Sequence, residues 1–249
     1  MLVPKSPEIL TNIHGFLLTN TVFTAFIVSL NIIIAVIILS PKIKEVPSKT
    51  QVLFEIFFDF VKNFMSEQTE GDLRRVGLFF PWVMTFFILI LLNNLFELIP
   101  LLGIVAIQIK NNSGTYVPLF RAANSDLNST IALTLISVIV TQYLAFKELG
   151  FKQHMKRYFD FSKPVNIIYG LFEIISEFTK LISLSFRLYG NIYAGDVIIL
   201  LFLKLAGPYF APLPFLAFEF LVCVIQAGIF AMLTLSFMAI LTGKEEINE

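Results

Sequence analysis

The sequence predicts an all-α polytopic membrane protein, with five membrane helices plus one amphipathic interfacial helix. The last two membrane helices are expected to be long, strongly inclined and paired as an antiparallel hairpin. Three observations lead there. Hydrophobic residues make up 57% of the chain and charged residues only 14%, where a soluble domain is about one quarter charged. The apolar residues gather in runs close to the roughly 20 residues that cross a bilayer. The final two runs are longer than a perpendicular crossing needs. The 28 Phe exceed what a globule of 249 residues can hide, and a mean hydropathy of +0.81 leaves the surplus apolar surface for lipid. A soluble enzyme is excluded, and residues 1–249 read as a single integral membrane domain.

Residues 1–21 form an external tail. The first apolar run, 22–39, stops at Ser40-Pro41. It is too long for a signal-peptide core and has no small-x-small cleavage signal, so it is a retained span. Residues 48–66 have a different character. Ser48 with Gln51 fits a capping box, and Gln51, Glu55, Asp59, Lys62 and Asn63 recur at helical spacing opposite a phenylalanine-rich side. That pattern is an amphipathic helix on the membrane surface or against a neighbouring span.

A second span covers 78–99, with Pro81-Trp82 at its mouth, where an interfacial Trp is expected. Its far end carries Asn93, Asn94 and Glu97. Residues 100–128 are a polar external loop. The triplets 111–113 and 128–130 match the glycosylation pattern, and a helix-entry turn explains the second equally well. The third span, 129–146, runs into a basic segment, 147–163. Residues 164–204 read as one helix about 60 Å long, against a hydrocarbon core of about 30 Å. It is therefore inclined or broken, with Gly190 and Gly195 as the weak points. Gly207-Pro208, Pro212 and Pro214 mark a turn before the last helix, 214–241, and residues 242–249 are a soluble tail.

Basic residues set the orientation. Lys42, Lys44, Lys49, Lys62, Arg74 and Arg75 follow the first span, and Lys147, Lys152, Lys156, Arg157 and Lys163 follow the third. The loop between holds only Lys110 and Arg121. The two basic loops are expected to be cytoplasmic, with the N-terminus outside and the C-terminus inside. Charge is balanced at 18 Lys+Arg against 18 Asp+Glu, so there is no nucleic-acid footprint. Cys223 alone makes no internal disulfide, and His14 and His154, in polar flanks, are too few for a zinc site. No phosphate loop or zincin motif is present, so no cofactor and no metal are expected.

Charges inside lipid are costly and mark function. Glu173, Glu177, Lys180, Arg187 and Asn191 share one helical face about 80° wide, with Asp196 rotated off it. Glu219 and Gln226 share a face of the last helix. Glu177 and Lys180 suit a structural ion pair at i, i+3. Arg187 has no acid three or four residues away and cannot deprotonate, so it needs a partner on another helix or another chain. In an antiparallel hairpin, one register brings Asp196 opposite Glu219 and Arg187 opposite Gln226 to within a couple of residues. The acid pair then lies about 13 Å beyond Arg187 on the external side, and Glu173 about 21 Å away on the cytoplasmic side. Proton-binding groups would flank a permanent cation, as two half-paths separated by a barrier require.

The segment Ser-Phe-Arg-Leu-Tyr-Gly-Asn-Ile-Tyr-Ala-Gly-Asp (185–196), with Glu-Ile-Ile-Ser (173–176) and Ile-Gln-Ala-Gly-Ile-Phe (225–230), closely resembles subunit a of F-type ATP synthases. Asn-Leu-Phe-Glu-Leu-Ile-Pro (94–100) and Asp-Leu-Asn-Ser-Thr (126–130) resemble that family's flanking motifs. The resemblance implies a stator, not catalytic by itself, beside a rotating ring of c subunits, with the b-subunit peripheral stalk, the rest of the complex and membrane lipid as partners. It implies that Arg187 faces each ring carboxylate and blocks leakage, with Gln226 and Asn191 near it. Asp196 and Glu219 match the external half-channel, and Glu173 and Ser176 the cytoplasmic one. Some relatives carry His at the Glu219 position and Glu or His at the Asp196 position. The absence of a transit peptide and the motifs point to a bacterial plasma membrane, ahead of an organellar one. The rival classes are a self-contained ion-coupled secondary transporter, for which no inverted repeat is visible, and a purely structural membrane subunit.

Overall fold

The structure is a computed structural model, described for residues 7, 9–13, 16–98, 108–110, 116–159, 164–206 and 212–243. Its helices are α1 (Asn20–Leu39), α2 (Lys49–Gln68), α3 (Leu73–Leu98), α4 (Leu127–Leu149), α5 (Phe151–Tyr158), α6 (Pro164–Ala206) and α7 (Pro212–Thr242). Four of them, α1, α3, α4 and α7, are long and apolar enough to cross a membrane. Helix α6 is longer than any of them and carries Glu173, Glu177, Lys180, Arg187 and Asp196 along its length. The chain is thus an α-helical, multi-pass membrane protein.

Local chemistry fixes the helix ends. Thr19 caps α1 by accepting from the Val22 amide. Ser48 Oγ accepts from the Gln51 amide at the start of α2, as the capping box requires. The Gln51 amide group, however, turns away to the Lys44 backbone, donating to its carbonyl at 2.9 Å and accepting from its N–H at 3.2 Å. Helix α3 begins five residues before the expected span, because Asp72 Oδ1 accepts from the Arg74 and Arg75 amides and nucleates an extra turn. It continues through Pro81. Asp126 caps α4 through the Asn128 amide at 3.1 Å, so the 128–130 triplet is a helix-entry turn. The 111–113 triplet, His14, the Gly207-Pro208 turn and the 244–249 tail lie outside the described residues.

The N-terminal segment and the α3–α4 connection contain short antiparallel hairpins that polar composition did not announce. Strands β1 (Ile9–Ile13) and β2 (Phe16–Thr19) pair with Ile13 opposite Phe16 and a bulge between Ile9 and Thr11. Strands β3 (Gln108–Lys110) and β4 (Tyr116–Pro118) pair with Ile109 opposite Val117.

The bundle core has three layers. At one end, Met65 of α2 packs with Val76, Phe79 and Val83 of α3, Val140 and Leu144 of α4, and Leu235 and Met238 of α7. In the middle, Phe86 and Ile90 of α3 meet Leu184 and Leu188 of α6 and Ala227 and Phe230 of α7. At the other end, Ile192 and Cys223 pack with Ala122. Cys223 is therefore a packing residue, as expected. These layers make α3 antiparallel to α7 and α6 antiparallel to α7. Helix α1 leaves Ile33 through Leu39 exposed, a face suited to lipid.

Helix α6 is unbroken over 43 residues, with Gly190 and Gly195 inside it. At 1.5 Å per residue it is about 65 Å long, roughly twice the hydrocarbon thickness. Of the two expected outcomes, a break at Gly190 or Gly195 does not occur. The basic segment after α4, read as a loop, instead forms α5. Gly150 at φ +79° lets the chain reverse there, in a region of backbone space that side chains disfavour.

Candidate site on helices α6 and α7

The seam between α6 and α7 is set by Leu184, Leu188 and Ile192, buried at helical spacing. Arg187 is one residue before Leu188, about 100° around the helix, and it is exposed. On the same side of α6, Ser183 and Gly190 are also exposed, whereas the exposed Phe178 and Ile182 lie about 180° and 140° around the helix from it. Among the described residues, Arg187 makes no hydrogen bond and no ion pair. The ion pairs found there join Lys62–Asp59, Arg74–Glu148, Arg75–Asp72, Arg157–Glu173 and Lys180–Glu177. A permanent cation thus stands exposed on α6 beside small and hydroxyl-bearing residues.

On the α5 side of Arg187, a groove of about 400 Å³ follows α6. Ser176, Thr179, Lys180, Ser183 and Arg187 line it on the α6 side, and Leu233 and Phe237 on the α7 side. Hydroxyls recur along its length, and Arg187 is at its far end. Lys180 donates to Glu177 Oε1 at 2.9 Å and covers the Phe237 ring at 4.7 Å. That ion pair is the local one expected from the i, i+3 spacing.

On the opposite side, the expected acid pair comes together. The Glu219 carboxylate sits directly against Gly195, in the space where a β-carbon would project. Asp196 is close enough for its charge to act on Glu219. Only glycine permits that approach, because any side chain at 195 would occupy the carboxylate's volume.

The expected register is shifted at its centre. Gln226, buried, accepts from Asn191 Nδ2 at 2.7 Å, so it faces Asn191 and not Arg187. The physical reason is the Leu184–Leu188–Ile192 seam, which turns Asn191 toward α7 and Arg187 away from it.

Glu173 departs from the sequence reading in another way. Its Oε1 pairs with Arg157 Nε at 3.1 Å, both side chains being less than a quarter exposed (24% and 19%). Arg157 also donates from Nη1 to the Ile240 carbonyl at 3.3 Å, in the last turn of α7. His154, expected in a polar flank, is fully buried. Its Nε2 donates to Gln142 Oε1 at 2.7 Å, its ring meets Phe146 and Tyr158 edge-on, and its Nδ1 is left without a partner. Burial first, and the Arg157 charge second, hold the imidazole below its ordinary value. Burial also raises the Tyr158 phenol. Sequence reasoning missed Arg157 and His154 as site neighbours. The available signal was His154, Arg157 and Tyr158 at i, i+3, i+4 just after Gly150, one face of a helical turn hidden in a lysine-rich run.

No group of three metal-ligating residues occurs among the described residues. The helices and site define a class: a multi-pass membrane protein with a cation, unpaired among the described residues, between a hydroxyl-lined groove and an acid pair. The chain matches the family described as ATP synthase A chain over residues 21–239. It is 28% identical over 247 residues to the sodium ion specific ATP synthase subunit a of Propionigenium modestum, covering 99% of this chain and 82% of that one. It is 31% identical over 242 residues to ATP synthase subunit a of Campylobacter concisus, covering 97% and 95%. With ATP synthase subunit a of Desulfotalea psychrophila, identity is 33% over 199 residues, covering 78% and 72%. The chain belongs to the ATP synthase A chain family.

Proposed function

We propose that this chain is the stator subunit a of a rotary F-type ATP synthase, carrying protons to and from the carboxylates of a rotating c-ring. The observation that carries the reading is the exposed Arg187, without an intramolecular partner among the described residues, in the middle of a helix of a membrane protein. Burying such a cation in lipid is costly, and a carboxylate on a neighbouring chain is the complement that lowers the cost. As each ring carboxylate arrives, the guanidinium favours its ionised form and bars direct passage across the site.

Two half-paths meet the ring on either side of that barrier. The groove along Ser176, Thr179 and Ser183 supports a cytoplasmic path entered near Glu173. The Asp196–Glu219 pair supports an external path, and the Asn191–Gln226 bond positions the helix faces beside Arg187. With α6 the crossings number five and α2 lies at the interface; that count and the basic residues after α1 and α4 support an N-terminus outside and a C-terminus inside a bacterial plasma membrane. The b-subunit peripheral stalk holds the stator against the torque of the ring.

The test is Arg187→Ala in the assembled complex. ATP-driven proton pumping by inverted vesicles should be abolished while the complex still assembles, whereas full coupled pumping would refute the reading. Running the parent with and without Na⁺ identifies the ion: pumping that is independent of Na⁺ agrees with protons.

A further inference from the structure

We propose that Arg157 is a positioning residue for the cytoplasmic ion path: it holds the Glu173 carboxylate at the path's entrance, which makes α5 a functional part of the stator. The inference rests on the stator reading and adds to it a residue outside the two inclined helices.

Arg157 uses its guanidinium as a two-way clamp. Nε takes Glu173 of α6 at 3.1 Å, and Nη1 takes the Ile240 carbonyl of α7 at 3.3 Å. A planar fork holds both in fixed, divergent directions from two nitrogens, which the single ammonium nitrogen of a lysine does not reproduce. The clamp is itself anchored. Three residues back along α5, His154 is buried against Phe146 and bonded to Gln142 of α4, while the Tyr158 carbonyl lies against the Cα of Gly170. Gly170 and Glu173 are three residues apart on α6, so the contact that seats α5 also sets the height of Arg157 opposite Glu173. One helical turn further along α6, Ser176 opens the groove that leads to Arg187. Glu173 is therefore held at the entrance by a charge from another helix.

Among the described residues, the groups facing Glu173 are few. Arg157, His154 and Tyr158 come from α5, Glu177 and Lys180 from α6 itself. Among the described residues, helix α4 offers the neutral Gln142 and α7 the Ile240 carbonyl. Arg157 makes the direct ion pair, so its removal changes the electrostatics of the entrance more than any other single substitution.

The experiment measures passive proton conduction in vesicles stripped of the soluble catalytic portion, normalised to the amount of assembled complex, across a range of pH. Arg157→Gln should reduce conduction about tenfold and move the pH of half-maximal conduction by about one unit, the size expected from losing one close opposite charge. Arg157→Lys should keep the parental midpoint while conducting less. Glu173→Gln, which leaves the seat of α5 intact, should lose conduction too, and combining it with Arg157→Gln should add little. A loss that only follows reduced assembly, with an unmoved midpoint, would overturn the proposal and leave Arg157 a structural clamp. Parental conduction by Arg157→Gln would also overturn it. Arg187→Ala in vesicles that retain the catalytic portion separates the two levels: if that variant pumps normally on ATP, the stator reading itself is wrong.

Discussion

Gly195→Ala is the substitution whose outcome follows most directly from the geometry. An alanine β-carbon at 195 would overlap the Glu219 carboxylate, carbon and both oxygens alike. The obstruction is the far end of a flexible side chain, so the fold yields by moving Glu219. Overpacking then costs about 1 kcal/mol, the low end of the usual range. The carboxylate itself must shift by about 1 Å or more, and misplacement of that size at a reacting group can cost about a hundredfold in rate. Function should therefore fall much further than stability. In inverted vesicles, ATP-driven acidification should drop about 10- to 100-fold, while the assembled complex, measured by immunoblot, stays near parental amounts. Shortening the acid provides the control: in a Glu219→Asp background, adding Gly195→Ala should cost several-fold less than in the parent. Parental pumping by Gly195→Ala, or an equal penalty in both backgrounds, would refute the collision.

Two further outcomes follow from other contacts. Asn191→Ala leaves the buried Gln226 oxygen without its donor, which should cost about 1–3 kcal/mol. It should lower the thermal unfolding midpoint of the complex in detergent, and an unchanged midpoint would show that the bond contributes nothing. His154 is held neutral in the fold, below the ordinary imidazole value of 6.5. Below about pH 6.5 the unfolded chain therefore binds a proton that the native one resists, so stability present above that pH is lost as pH falls toward the native ring's lower value. Thermal unfolding followed from about pH 7.5 down to pH 5 should show this slope, and His154→Gln should flatten it; an equal slope in both proteins would exclude His154 as its source.

Hydrophobic runs made the spans readable because lipid demands continuous apolar surface, a constraint that needs no tertiary information. The 22–39 expectation differs from α1 by two residues at its start, and the 164–204 expectation from α6 by two at its end. The ends that sequence misplaced depend on capping by a single residue, such as Asp72 ahead of α3. The site was legible where spacing within one helix decided it, as with Glu177 and Lys180, or where a hairpin register did, as with Asp196 and Glu219. It was not legible where rotation about the α6 axis mattered. Arg187 and Asn191 share one face by arithmetic, yet the leucine seam sends one outward and the other to Gln226. Helix α5 stayed hidden for a related reason: its apolar content is a buried His154 and flanking aromatics, and its partners Gln142, Glu173 and Ile240 lie 12 to 83 residues away.

A density map of the assembled complex in a lipid bilayer tests the barrier role of Arg187 most directly. The guanidinium should point out of this chain, within about 4–6 Å of a carboxylate on the neighbouring ring, with water reaching it from two inlets that do not join. An Arg187 turned inward onto one of its own acids, or a single aqueous channel running the length of the chain, would contradict that role.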